Sequence, residues 1–155
     1  MWGALRRRIM LLMLLTGMPE MDAERAFARE ARARRRAALV RRLRRVPAAC
    51  ARLAVYDERS LPRAGRRAVR EIPLEAIAGT VEPSRAKLFD GAFRPASGAR
   101  SRWQRLWLAE QRGVVLPPIS VVRVGDAYAV RDGHHRVSVA RARGALTIDA
   151  AVEAV

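Results

Sequence analysis

The run Ile119-Ser120-Val121-Val122-Arg123-Val124, then Gly125-Asp126, then Ala127-Tyr128-Ala129-Val130, leaves the chain little choice of structure. β-branched side chains are stiff and fit a pleated surface. Gly-Asp between two such runs supplies the two residues of a tight hairpin turn. The chain then turns at Asp132-Gly133 into a segment with Val137, Val139, Ala140 and Ala142 on one side. This predicts a helix from about His135 to Arg143, with Gly144 as its C-cap. Leu146 to Val152 predicts a closing strand.

Upstream, Arg70-Glu71-Ile72-Pro73-Leu74 predicts a short strand whose proline suits a sheet edge. Leu74 to Ile77 predicts one turn of helix, ended by Gly79. Residues 80–100 carry Pro83, Gly91, Pro95 and Gly98 and read as loop. Ser101 to Arg112 predicts a helix, with Ser101 as N-cap and Gly113 closing it. Trp103, Leu106, Trp107 and Glu110 recur there at helical spacing. The expected fold class for residues 70–155 is α+β, a small mixed sheet with flanking helices. Aromatic residues make up only 5% of the chain, so its core is expected to rest mainly on Ala, Val, Leu and Ile.

The N-terminal half has a different texture. Residues 1–70 hold 19 basic and 6 acidic residues, net +13, whereas residues 71–155 hold 12 and 9, net +3. Lys87 is the only lysine, so the basic character is arginine. A segment this positive attracts polyanions such as nucleic acid, or is simply a solvated helix face. Residues 19–69 read as a basic helical segment and linker. Residues 21–46 predict one helix, with Asp22 capping its start and Pro47 stopping it. Phe27, Ala31, Ala38, Leu39 and Leu43 form a thin apolar stripe on it. That helix could dock on the domain, pair with itself in a homodimer, or lie on DNA. Ala48 to Val55 could form a short helix, and Pro62 and Gly65 mark the linker.

Residues 1–18 resemble a targeting signal or a misassigned start. Arg6-Arg7-Arg8 precedes the apolar stretch Ile9 to Leu15, with Met18 and Met21 as alternative starts. The apolar stretch is too short to span a bilayer, which needs about 20 residues, so no stable membrane insertion is expected. The single cysteine, Cys50, has no partner for a disulfide or a zinc site, which suits a cytoplasmic protein.

The chemistry is expected at Asp132-Gly133-His134-His135-Arg136. Gly133 frees the backbone and lets a ligand come close. The helix that follows presents unpaired N–H groups and a partial positive charge, a seat for phosphate. Arg136 can grip phosphate oxygens in a fork. His134 and His135 are the only histidines in the chain, and either can donate to a phosphate or exchange protons near neutral pH. The plainer reading is that Asp132 caps a helix and Gly133 makes a turn. Adjacent histidines diverge from the backbone, and no metal site is expected.

Residues 70–155 resemble the ParB/sulfiredoxin superfamily. The residues that carry the likeness are Ile72-Pro73-Leu74, Leu116-Pro117-Pro118-Ile119, the hairpin, and Val130 through Arg141. Members share an I-P-L-type strand, a P-P-I strand, a hairpin, a G-x-[HR]-R loop, an alanine-rich helix and a closing strand. In ParB proteins the loop resembles G-E-R-R and helps bind CTP phosphates. In sulfiredoxins it is G-C-H-R, with a catalytic cysteine and with His and Arg facing ATP phosphates. Some members are small-molecule kinases with a D-G-H-x-R loop. The resemblance places Gly133 at the glycine, His135 at the phosphate-facing position and Arg136 at the arginine. His134 stands where sulfiredoxin has cysteine, so sulfiredoxin chemistry is not expected. No helix-turn-helix follows before Val155, so sequence-specific centromere binding is not expected either.

The leading expectation is a stand-alone ParB-like protein that binds a nucleoside triphosphate, CTP or ATP with Mg²⁺. Its binding residues would be Asp132, Gly133, His134, His135 and Arg136, with Arg141 as an outer contact. Non-specific DNA binding through the basic segment would accompany it. One alternative is a phosphoryl-transfer enzyme or nuclease using Asp132, Glu75 or Asp126, although no catalytic spacing is recognisable. The other is a non-catalytic protein-interaction domain.

Overall fold

The computed structural model describes residues 17–61 and 66–154; the leader-like residues 1–16 and the linker positions Pro62 and Gly65 fall outside that range. The helices are α1 (Pro19–Leu43), α2 (Arg100–Gln111) and α3 (His134–Ala142). The strands are β1 (Ala54–Val55), β2 (Arg66–Pro73), β3 (Ile77–Thr80), β4 (Ile119–Val124), β5 (Ala127–Asp132) and β6 (Thr147–Ala154). They form one mixed sheet in the order β1-β3-β5-β4-β6-β2. β4 and β5 are the expected hairpin, closing with Val124 opposite Ala127. β2 lies at the sheet edge, where Pro73 removes no ladder bond from a second neighbour. The fold is α+β. No described helix is long and apolar enough to cross a membrane.

Two strands were not expected. Ile77–Thr80 is β3 rather than the end of a helical turn, and a single 3₁₀ turn, Leu74–Ala76, precedes it. β3 runs parallel to β5 on one side and to β1 on the other. Gly79 does not stop a helix. A side chain there would collide with the Ala54 carbonyl and the Tyr56 ring, so glycine is what lets β1 approach. The short helix expected over Ala48–Val55 is a 3₁₀ turn, Ala48–Ala51, followed by β1.

Helix boundaries differ from expectation at three starts. α1 has Met18 at its N-cap and Pro19 in its first turn, while Asp22 is buried within that turn instead of capping it. α2 is capped by Ala99, not Ser101, because a 3₁₀ turn at Ser97–Ala99 runs straight into it. α3 begins at His134 rather than His135, with Gly133 at its N-cap. α1 also ends early, at Leu43. Arg45 takes a left-handed φ of 55°, and the Val46 amide donates back to the Arg41 carbonyl. Pro47 disfavours helical backbone at the residue before it, so the reversal must come ahead of it.

Two helix layers of packing hold the structure. α3 sets Val137 and Ala140 into a core with Ile119, Val121, Val130, Ala150 and Val152 of the sheet. Its other side, at Val139, joins a cluster of Ala23, Ala26, Phe27, Trp103 and Trp107. Here the aromatic residues matter more than their number suggests. All 3 phenylalanines are fully buried, and Trp103 donates its indole N–H to Ser138 Oγ at 2.9 Å while stacking on Trp107. α1 lies antiparallel to α2, with Glu20 pairing with Arg112 and Glu24 with Arg100. At about 1.5 Å per residue, α1 is roughly 37 Å long and α2 roughly 18 Å. α2 therefore reaches only the first half of α1. Of the expected stripe Phe27 is buried, whereas Leu39 and Leu43 stand 56% and 75% exposed.

Candidate functional site

The hairpin and α3 bring the expected loop to one wall of a cleft of about 420 Å³. Asp132, Gly133, His134, His135 and Arg136 line that wall. Opposite stand Glu82, Ser84 and Arg85, from the loop after β3, and Arg102 and Leu106, from α2. Pro117 and Arg131 complete the lining.

Gly133 has φ 105° and ψ 20°, a backbone state that side chains strain to adopt. A Cβ there would stand 2.5 Å from Ile119 Cγ2 and 2.9 Å from Ile119 Cβ, and Ile119 is fully buried. Glycine thus ends β5 and starts α3 within about one residue. We expect Gly133→Ala to cost about 2–3 kcal/mol, combining φ strain with overpacking. Gly125 also has positive φ but meets nothing within 4 Å, so Gly125→Ala should cost only about 1 kcal/mol. Urea unfolding of both variants checks the difference.

The amides of His134, His135 and Arg136 have no carbonyl one turn back, and the first helical bond runs from the Val137 amide to the Gly133 carbonyl at 3.0 Å. These amides, with the positive end of the helix dipole, mark the loop as a place for an anion.

The side chains are less free than the sequence suggests. His134 is buried, with Nε2 2.7 Å from the Thr80 hydroxyl. That hydroxyl also accepts from the Glu82 amide at 2.8 Å and lies 3.1 Å from the Val130 carbonyl. If its proton goes to Val130, the His134 ring donates to Thr80. His134 thereby ties β3 to the start of α3. His135 sets its ring edge-on against Phe89, with centroids 5.1 Å apart, and has no hydrogen-bond partner among the described residues. Arg136 is half-buried. Its guanidinium donates to the Pro117 carbonyl, to the Pro118 carbonyl at 2.8 Å, and to Asp132 at 2.8 Å. It pins the segment leading into β4 and keeps Nε–H and one Nη2–H for other acceptors.

Arg141 is not brought to the loop. Its guanidinium donates to the Leu74 and Ile77 carbonyls at 2.7 and 3.1 Å and sits over the Phe93 ring. It holds the 3₁₀ turn between β2 and β3. Among the described residues no cluster of three or more His, Cys, Asp or Glu side chains could hold a metal ion.

Arg85 and Arg102 are the residues that sequence reasoning did not find. Neither makes an ion pair among the described residues, whereas Arg131 is paired with Glu58 and Glu153, and Arg136 with Asp132. Their charge is felt across the cleft. Burial first, then Arg85, pushes the His134 pKa down from 6.5 to about 4. Burial first, then Arg102 and Arg85, does the same to His135. Both rings are therefore neutral at pH 7. The unfolded chain takes up these protons near pH 6.5. Between about pH 6.5 and about 4 the unfolded state binds more protons, so stability falls as pH falls, and the loss levels off below about 4. Urea midpoints should drop between about pH 7 and about pH 5, and drop less in His135→Gln.

No protein-family model matches the chain, and no curated protein matches it. Among solved structures the chain is similar to sulfiredoxin from Arabidopsis thaliana, with 22% identity and a TM-score of 0.41, over 55% of this chain and 83% of that one.

Proposed function

We propose that the cleft at the start of α3 binds the phosphates of a nucleoside triphosphate, CTP or ATP, accompanied by Mg²⁺. The observation that carries this reading is the pairing of Arg85 and Arg102, two arginines without an ion pair among the described residues, with the free amides of His134, His135 and Arg136 across one cleft. Uncompensated guanidinium groups facing a helix N-terminus suit an oxyanion of high charge. The cleft volume lies within the range of small-ligand sites. The likeness of Gly133, His135 and Arg136 to the loop of the ParB/sulfiredoxin superfamily supplies the ligand class. His135, neutral and without a hydrogen-bond partner among the described residues, has a ring nitrogen to offer the ligand.

The reading is binding rather than turnover. Of the carboxylates considered as bases, Asp132 is held by Arg136, and Glu75 and Asp126 do not line the cleft. The test is calorimetric titration of CTP, ATP, GTP and inorganic triphosphate, each with Mg²⁺. If phosphates dominate recognition, inorganic triphosphate binds within about tenfold of the preferred nucleotide, a difference of about 1.4 kcal/mol. A chain that binds none of the four at millimolar concentration does not use this cleft for phosphate.

A further inference from the structure

Beyond Ala31, no described residue of α1 lines the cleft or belongs to a core cluster. From Ala31 to Val46 the chain contains only Ala, Arg, Leu and Val. It holds 8 arginines between Arg32 and Arg45 and no acidic residue. None of these arginines forms an ion pair among the described residues. The negative end of the helix dipole favours Arg41 and Arg42 in the last turn. It does nothing for those a turn or more earlier, where Arg32 repels Arg35 and Arg36 at i+3 and i+4. Because α2 is too short to reach this half, the residues exposed here include Arg35, Arg36, Leu39, Arg42 and Leu43.

We propose that this half of α1, from Arg32 to Arg45, is a sequence-independent binding surface for duplex nucleic acid. Charge decides the occupant. A second copy would bring like-charged helices face to face. An anionic bilayer would meet one side of the helix and could bury Leu39 and Leu43. The exposed arginines, however, interrupt that apolar side. At about 100° per residue, Arg32 and Arg36 each lie about 20° from Leu43 around the axis, while Arg34, about 180° away, is half-buried with its Nε enclosed. An exposed helix side that carries arginines among its leucines suits phosphates, and a major groove roughly 12 Å wide admits a helix. The segment has no Asn or Gln to read adenine edges, and the proposal places its arginines on phosphates, contacts that carry no sequence information. This inference is independent of the nucleotide reading of the cleft.

The experiment is fluorescence anisotropy of the full chain with two labelled 20-bp duplexes of unrelated sequence, from 50 to 300 mM NaCl. Both should bind within about threefold of each other, with affinity falling with salt at a log–log slope of about −4 to −7. Replacing Arg35, Arg36, Arg42 and Arg44 together by glutamine should reduce that slope by about 3–4 and weaken binding at 100 mM NaCl by at least about 100-fold. The matching lysine variant, which keeps charge and helix, should stay within a fewfold of the parent. Leu39→Gln with Leu43→Gln should leave duplex binding within about twofold. Far-ultraviolet circular dichroism confirms that each variant retains its helix. Three results overturn the proposal: no duplex binding at 50 mM NaCl, an unchanged slope in the glutamine variant, or binding to phosphatidylserine vesicles that needs Leu39 and Leu43 while duplexes are ignored.

Discussion

Replacing Arg85 and Arg102 together by alanine is expected to weaken triphosphate binding by roughly 10²- to 10⁴-fold. On the proposed reading each guanidinium would contribute a charge-assisted hydrogen bond worth about 1.5–3 kcal/mol, or roughly 10- to 150-fold. Neither side chain makes an ion pair among the described residues, so the fold should not depend on them, and thermal midpoints should shift by less than about 2 °C. That separation makes the pair a better probe than Arg136. Arg136→Ala would leave the Pro117 and Pro118 carbonyls and Asp132 without their donor, so it would lower stability and affinity together. In a calorimetric titration with inorganic triphosphate, the double variant should lose most of the binding enthalpy. If its affinity stays within threefold of the parent, the two arginines do not meet the ligand and the cleft reading fails.

Trp103→Ala is expected to destabilise the chain by about 3–5 kcal/mol, the range for removing a buried large aromatic side chain. Trp103 has no exposed surface, stacks on Trp107 with ring centroids 5.4 Å apart and meets Phe27 edge-on at 5.6 Å. Its loss opens a cavity where all three helices meet and leaves Ser138 Oγ without its indole donor. In urea the midpoint should fall with little change in slope, because the surface exposed on unfolding hardly changes. Trp103→Phe retains the aromatic packing and removes the hydrogen bond, so it should cost about 1–2 kcal/mol. A cost below about 1 kcal/mol for the alanine variant would mean that α1 and α2 do not close over α3 in solution.

Some of this structure was legible because it is written locally. The hairpin needs only β-branched runs and a Gly-Asp turn, all within residues 119–130. Gly133 at the start of α3 and Gly113 after α2 are read from their neighbours. β1 and β3 carry no such mark. Thr80 reaches Val130 across 50 residues, and parallel pairing of that kind depends on what the far strand presents. The helix starts were misjudged for a related reason. Asp22 and Ser101 have the side chains of caps, yet Asp22 is buried and a 3₁₀ turn supplies the start of α2.

The site divides along the same line. The position of the loop is written locally: glycine is the residue suited to Gly133's backbone angles, and a helix N-terminus follows from the apolar spacing behind it. Which charged groups share the cleft with it depends on contacts between segments far apart in the chain. In a chain with 31 basic residues, nearly all arginine, one arginine looks like the next. Folding gives Arg141 two backbone carbonyls, Arg131 two carboxylates, and Arg136 two carbonyls and a carboxylate. It leaves Arg85 and Arg102 lining the cleft without an ion pair among the described residues. Charge is a property of the residue, but whether that charge is neutralised depends on what long-range packing places within about 4 Å of it.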